Sequence, residues 1–132
     1  MTNWVIVHLR LVFLFALLVG FQARADNLDA DSTKKVVLDK TWTVEEFDGP
    51  GNFYWTWNSD GTLCLRLHGE TGNCDDTGHW TMKDGRVCYE LGWWGKADGM
   101  NSECFRVSKL NQNRYGAFFD SGLTFFKFAV PQ

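Results

Sequence analysis

The chain has 132 residues, with 13 Lys and Arg, 16 Asp and Glu, three His and four Cys. That length is one domain, and its acidic balance excludes nucleic acid and anionic membrane surfaces as working partners. Aromatic residues make up 16% of it, enough to build a core in a small domain.

The first 25 residues read as an export signal. Arg10 precedes Leu11 to Phe21, an unbroken run of apolar residues and Gly, and Ala23-Arg24-Ala25 follows as a small-x-small cleavage site. His8 and Arg10 interrupt the apolar stretch that begins at Trp4, which leaves it short for a membrane span. Cleavage there predicts a periplasmic or secreted protein that starts at Asp26 and keeps no membrane span. The loss of Arg10 and Arg24 leaves 11 basic against 16 acidic groups, a net charge of −5. Residues 26–40 are polar and charged, and read as a flexible leader with a helical turn near Lys34 to Leu38.

After Lys40 the pattern changes. Short aromatic and β-branched runs alternate with turn residues, and no long window shows a helical period. The runs are TWTVEEF (41–47), NFYWTW (52–57), TLCLRLH (62–68), TGHWTM (77–82), RVCYEL (86–91), ECFRVSK (103–109), RYGAFF (114–119) and LTFFKFA (123–129). Separators such as NSDG and KDG are hairpin signals. The expected fold over 41–132 is all-β: an antiparallel eight-stranded meander closing into a small, disulfide-stapled β-barrel, which leaves no free edge.

WNSDGTLC (Trp57 to Cys64) returns almost whole as WTMKDGRVC (Trp80 to Cys88). Each copy has a Trp, a polar gap, Asp-Gly, an aliphatic residue and a Cys. Both read as one hairpin corner, in which the Trp ends a strand and Asp-Gly supplies a turn with positive φ. The repeat thus encodes architecture.

Cys64, Cys74, Cys88 and Cys104 form an even set in an exported domain, which predicts two disulfides. No CxxC spacing points to a zinc knuckle or a redox motif. Of the three possible pairings, a meander places strand 77–82 between Cys64 and Cys88, beyond the reach of a disulfide. Cys64–Cys74 and Cys88–Cys104 are therefore expected. Strict opposition of Cys88 and Cys104 sets Arg86 against Arg106, a strain that a diagonal disulfide or a bulge would relieve.

Strand alternation puts Leu63, Leu65 and Leu67 on one face and Cys64, Arg66 and His68 on the other. Val87, Tyr89 and Leu91 likewise oppose Cys88 and Glu90, and Phe105 and Val107 oppose Cys104 and Arg106. The cost of burying charge favours Arg66, Glu90 and Arg106 in water. A lumenal polar cluster is the other arrangement. Phe53, Trp55 and Trp57 share a face, as do Phe126 and Phe128, with Phe125 pointing away. They form either a packed core or an aromatic-walled cavity.

The longest link, Gly92 to Ser102, carries Trp93-Trp94 between glycines. Neighbours in an extended segment point opposite ways, so one Trp packs inward and one is exposed. An exposed Trp stacks on a sugar ring or apolar ligand, or anchors a protein. Trp93, Trp94, Trp55, Trp57 and Tyr89 are the candidate ligand-binding residues. His68 and His79 flank Asp75 and Asp76, but the spacing matches no specific metal site, and no metal or cofactor is assigned. Nucleophile elbow, HExxH, P-loop and dinucleotide fingerprints are absent. Carboxylates such as Glu45, Glu46 and Glu90 are not paired by any pattern, so no catalytic residue is assigned and the chain is read as a non-enzyme.

From Thr41 to Ala129 the chain resembles a family of small exported alphaproteobacterial proteins of unknown function. The two corners, the Gly78-His79-Trp80 between them and Cys104 carry the resemblance. It implies no activity and transfers no catalytic residue. At the level of fold the corners are similar to those of avidin-like and lipocalin-like (calycin) barrels, although Lys40-Thr41 before Trp42 is not the lipocalin GxW start. The expected function is a binding module taking a small apolar or glycan ligand at the barrel mouth. The alternative is a protein-interaction or enzyme-inhibitor module of the cell envelope, built on a filled barrel.

Overall fold

In the computed structural model, which describes residues 26–45 and 52–132, eight antiparallel strands close into a barrel. The expected signal peptide, 1–25, and the last two residues of the first run, Glu46 and Phe47, lie outside the described residues. The strands are β1 (Thr41–Glu45), β2 (Asn52–Trp57), β3 (Thr62–Arg66), β4 (Asp76–Lys83), β5 (Arg86–Leu91), β6 (Ser102–Asn111), β7 (Arg114–Phe118) and β8 (Thr124–Ala129). Each pairs with the next in sequence, and β8 returns to β1.

Alternation fills the lumen. Trp42 stacks on Phe128 with ring centroids 3.7 Å apart. Trp55 lies 5.1 Å from Tyr89 and 5.3 Å from Phe126. Trp57 lies 4.8 Å from Trp42, and Phe105 lies 5.1 Å from Phe126. Contacts of this length leave the barrel packed with rings. The buried indole N–H groups of Trp42, Trp55 and Trp57 have no hydrogen-bond acceptor among the described residues. They are buried in an aromatic interior, where each carries the cost of an unpaired polar group.

The charged face is outside, since Glu90 is exposed and Arg66 and Arg106 are half-buried on the outer wall. Phe125 is a correction: it is buried beside Phe126 and Phe128. Ala117 pairs with Phe126 and Phe118 with Thr124, so Phe125 is an extra residue in β8. A bulge of this kind breaks the alternation and lets two consecutive side chains turn inward.

The two disulfides are Cys64–Cys74 and Cys88–Cys104, with no free cysteine. Cys88 sits directly opposite Cys104 in the register. No diagonal bridge is needed. The neighbouring Arg86 and Arg106 share the carboxylate of Asp120, at 3.0 and 3.1 Å, which turns a like-charge clash into a three-member ion cluster.

The corners differ more than their sequences suggest. Asp84 and Gly85 both have positive φ, 53° and 74°, and Lys83 pairs with Arg86 around them. That is the two-residue turn suited to strand twist. In the first copy only Gly61 is left-handed, and Asp60 instead accepts hydrogen bonds from Thr62 N and Oγ1. Trp57 ends β2, whereas Trp80 stands three residues before the end of β4. The second Trp nevertheless serves the first corner: Trp80 Nε1 donates to Asn58 O at 2.9 Å.

The leader read as flexible is instead docked. Helix α1 (Ala30–Val37) is capped by Asp29, which accepts from Ser32 N at 2.7 Å, and it buries Thr33 and Val37. Leu28 N donates to Val107 O in β6, and Asp39 N donates to Trp57 O at the end of β2. The segment is therefore docked against the barrel, from β6 at Leu28 to the end where β2 finishes and β1 begins. The links 67–75, 92–101 and 119–123 lie at the opposite end, after the odd-numbered strands.

Candidate functional site

The link from Gly92 to Asn101 is a built structure. Met100 N bonds back to Gly95 O at 2.8 Å, and Lys96–Asp98 form one 3-10 turn. Tyr89 Oη, from inside the barrel, donates to Met100 O at 2.6 Å and ties the link to the core. Burial, with the nearby Glu103 charge, pushes the Tyr89 phenol well above its usual range, so it stays a donor.

Asp76 seats the near end of this link. It is the first residue of β4, 6% exposed, and it faces inward beside Leu65. Its carboxylate accepts from Thr77 N at 2.8 Å, Trp93 N at 2.9 Å and Trp94 N at 2.8 Å. Burial pushes its pKa up, but the backbone N–H groups of Trp93, Trp94, Thr77 and Gly92 outweigh that and hold the carboxyl below its ordinary value.

The two tryptophans diverge from this seat. Trp94 turns inward and is half-buried, 5.1 Å from Phe53 and 6.1 Å from Trp55. Trp93 turns outward and is 55% exposed. Its indole is still fixed, because Nε1 donates to Asp75 O at 3.1 Å. Asp75 belongs to the link stapled by Cys64–Cys74, and its own carboxylate accepts from Leu67 N at 2.7 Å.

Of the five candidate ligand-binding residues, Trp55, Trp57 and Tyr89 lie in the packed lumen, and Trp94 lines its top. Only Trp93 stands on the surface. The structure does not bring His68, His79, Asp75 and Asp76 together as ligands. No group of three His, Cys, Asp or Glu among the described residues is placed to hold a metal ion.

Beside Trp93 a pit of about 460 Å³ opens on the outer wall of β3, β4 and β5. Thr62, Thr77, His79, Glu90 and the Cys64–Cys74 bridge line it, and Gly92 forms its lip toward Trp93. Gly78 lies at its base. A Cβ there would stand 1.9 Å from Glu90 O, so only glycine permits this approach of β4 to β5. Sequence reasoning missed the pit, because it weighed His79 only as a metal ligand and Glu90 as an acid or as a face charge beside Arg66 and Arg106, and never set the two side by side. The available signal was the outward placement of both residues on strands separated by one tight turn.

The chain matches no protein-family model, no curated protein and no solved structure. Among the described residues no helix is long and apolar enough to cross a membrane. Two disulfides in so small a domain point to an oxidising, extracytoplasmic compartment.

Proposed function

We propose that the protein is a secreted or periplasmic binding module that holds its ligand outside the barrel, at the rim formed by the Gly92–Asn101 link, with Trp93 as anchor. One observation carries this reading. Trp93 is 55% exposed, yet its backbone N–H and its indole N–H are both tied down. An exposed indole in a single fixed pose loses little freedom on binding, which is what pre-organisation supplies. The ring-filled lumen supports a site on the rim over one inside the barrel. The ligand that suits a flat, fixed indole is a sugar ring with an apolar face. The reading includes no catalytic step, no cofactor and no retained membrane span.

A second reading is a protein-interaction or inhibitor module of the envelope. Leu123, in a link at the same end, is 69% exposed and would extend an apolar contact with a protein partner. The test compares wild type, Trp93→Ala and Trp94→Ala for binding to immobilised oligosaccharides and to purified envelope proteins. Binding should be lost in Trp93→Ala at an unchanged unfolding temperature, whereas Trp94→Ala should lower that temperature. Undiminished binding by Trp93→Ala rejects the rim as the site.

A further inference from the structure

We infer that the pit beside Trp93 is the polar half of a saccharide site, with His79 and Glu90 reading the hydroxyl groups of a neutral sugar that stacks on the indole. The inference rests on the rim reading above and names the ligand class for it.

The register sets up the row. Thr62 pairs with His79 across β3 and β4, and His79 pairs with Glu90 across β4 and β5. Directly opposed residues share a face, here the outer one, and both His79 and Glu90 are exposed. Although they stand opposite each other, no ion pair or hydrogen bond joins their side chains. Both residues line the pit and are open to solvent. Thr77 adds a hydroxyl from the same strand as His79.

The platform is attached to this row at two points. Gly92, the residue before Trp93, donates its N–H to Thr77 O at 3.1 Å and forms the lip of the pit. The Trp93 indole bonds Asp75 O, one residue past Cys74, whose disulfide lines the far wall. The indole is therefore anchored next to two lining residues, Gly92 and Cys74, of a depression that also presents Thr77, His79 and Glu90.

The chemistry selects the ligand. A pyranose ring offers one apolar C–H face, suited to an indole, and a rim of hydroxyls. A carboxylate accepts from two adjacent hydroxyls, and an imidazole donates to a hydroxyl or ring oxygen. The volume lies within the roughly 300–1,000 Å³ usual for small-ligand sites. Glu90 lines the pit, and the Asp60 carboxylate bonds Thr62 Oγ1 on its edge, so a sugar carrying negative charge is disfavoured. The class is a neutral hexose or N-acetylhexosamine unit, free or within a chain.

The test is an NMR titration of the whole mature protein with two probes, the trimers of β-1,4-linked N-acetylglucosamine and of β-1,4-linked glucose. With at least one probe, saturable shifts are expected at the amides of Gly78, His79, Glu90 and Gly92 and at the Trp93 indole N–H. Glu90→Gln and His79→Ala, both surface changes, should each weaken binding about tenfold, with the spectrum otherwise preserved. Shifts confined to Trp93 and unaffected by Glu90→Gln would remove the pit from the site and leave the rim reading intact. Shifts in the pit that survive Trp93→Ala would overturn both the pairing with Trp93 and the rim reading. If neither trimer moves these resonances, the saccharide assignment is wrong, and protein binding that depends on Trp93 would then support the second reading.

Discussion

Asp76 is the residue on which the rim depends. Its buried carboxylate collects backbone N–H groups from two segments, the start of β4 and the Trp93-Trp94 pair. Asp76→Ala leaves those donors without their acceptor and should lower stability on the order of 3 kcal/mol. Because the folded carboxyl sits below its ordinary value, its stabilisation is complete above the unfolded pKa of about 4 and drains away as pH falls through the lower folded value. Unfolding free energy measured between neutral and strongly acidic pH should therefore fall less steeply in Asp76→Ala than in wild type. Equal slopes would mean that the carboxylate is not the acceptor seating the link. The role was not legible in the sequence, where TGHWTM placed the strand start at Thr77. Beginning one residue earlier makes Asp76 an inward-facing strand residue beside Leu65.

At the scale of elements, the strands were readable because one face of each is apolar and tight turns separate them. Alternation failed where the backbone adds a residue. Phe125 gives no local sign of a bulge, since its placement depends on what β7 presents opposite it. Helix α1 was legible only as a helical turn near Lys34 to Leu38, and its first turn and docking were missed for another reason. Asp29 and Ser32 mark its start, but only Thr33 and Val37 are buried, too few to impose a visible period. Its stability comes from docking, as expected for a helix of eight residues. Val37 is fully buried against the end of the barrel, and Lys34 is exposed. Val37→Asp should therefore cost about 3 kcal/mol or more, as for an unpaired buried charge, while Lys34→Ala should stay within about 0.5 kcal/mol. Chemical denaturation of the two variants checks this. A neutral Val37→Asp would return the segment to a flexible leader.

For the whole molecule the question is where the closed barrel is weakest. Among the described residues β1 and β8 share only two register pairs, Thr43 with Ala129 and Val44 with Phe128. β4 and β5 share six. Side chains compensate at this seam: Trp42 stacks on Phe128 across it, and Glu45 of β1 pairs with Arg114 of β7. Both disulfides lie elsewhere, in the stretch from β3 to β6. The sparsest backbone pairing and the covalent bridges thus lie in different halves of the barrel. In the oxidised protein, amides of β1 and β8 should exchange with solvent through local opening, ahead of those of β4 and β5. Reduction should lower global stability on the order of 3 kcal/mol per bridge, the loop-closure entropy restored to the unfolded chain. It should speed exchange in β4 and β5, whose amides open only with the whole barrel, and leave the seam amides nearly unchanged. Hydrogen exchange followed with and without reductant measures both halves at once. Seam amides as slow as those of β4 and β5 would show that the Trp42–Phe128 stack fuses the barrel into one cooperative unit despite the few register pairs among the described residues.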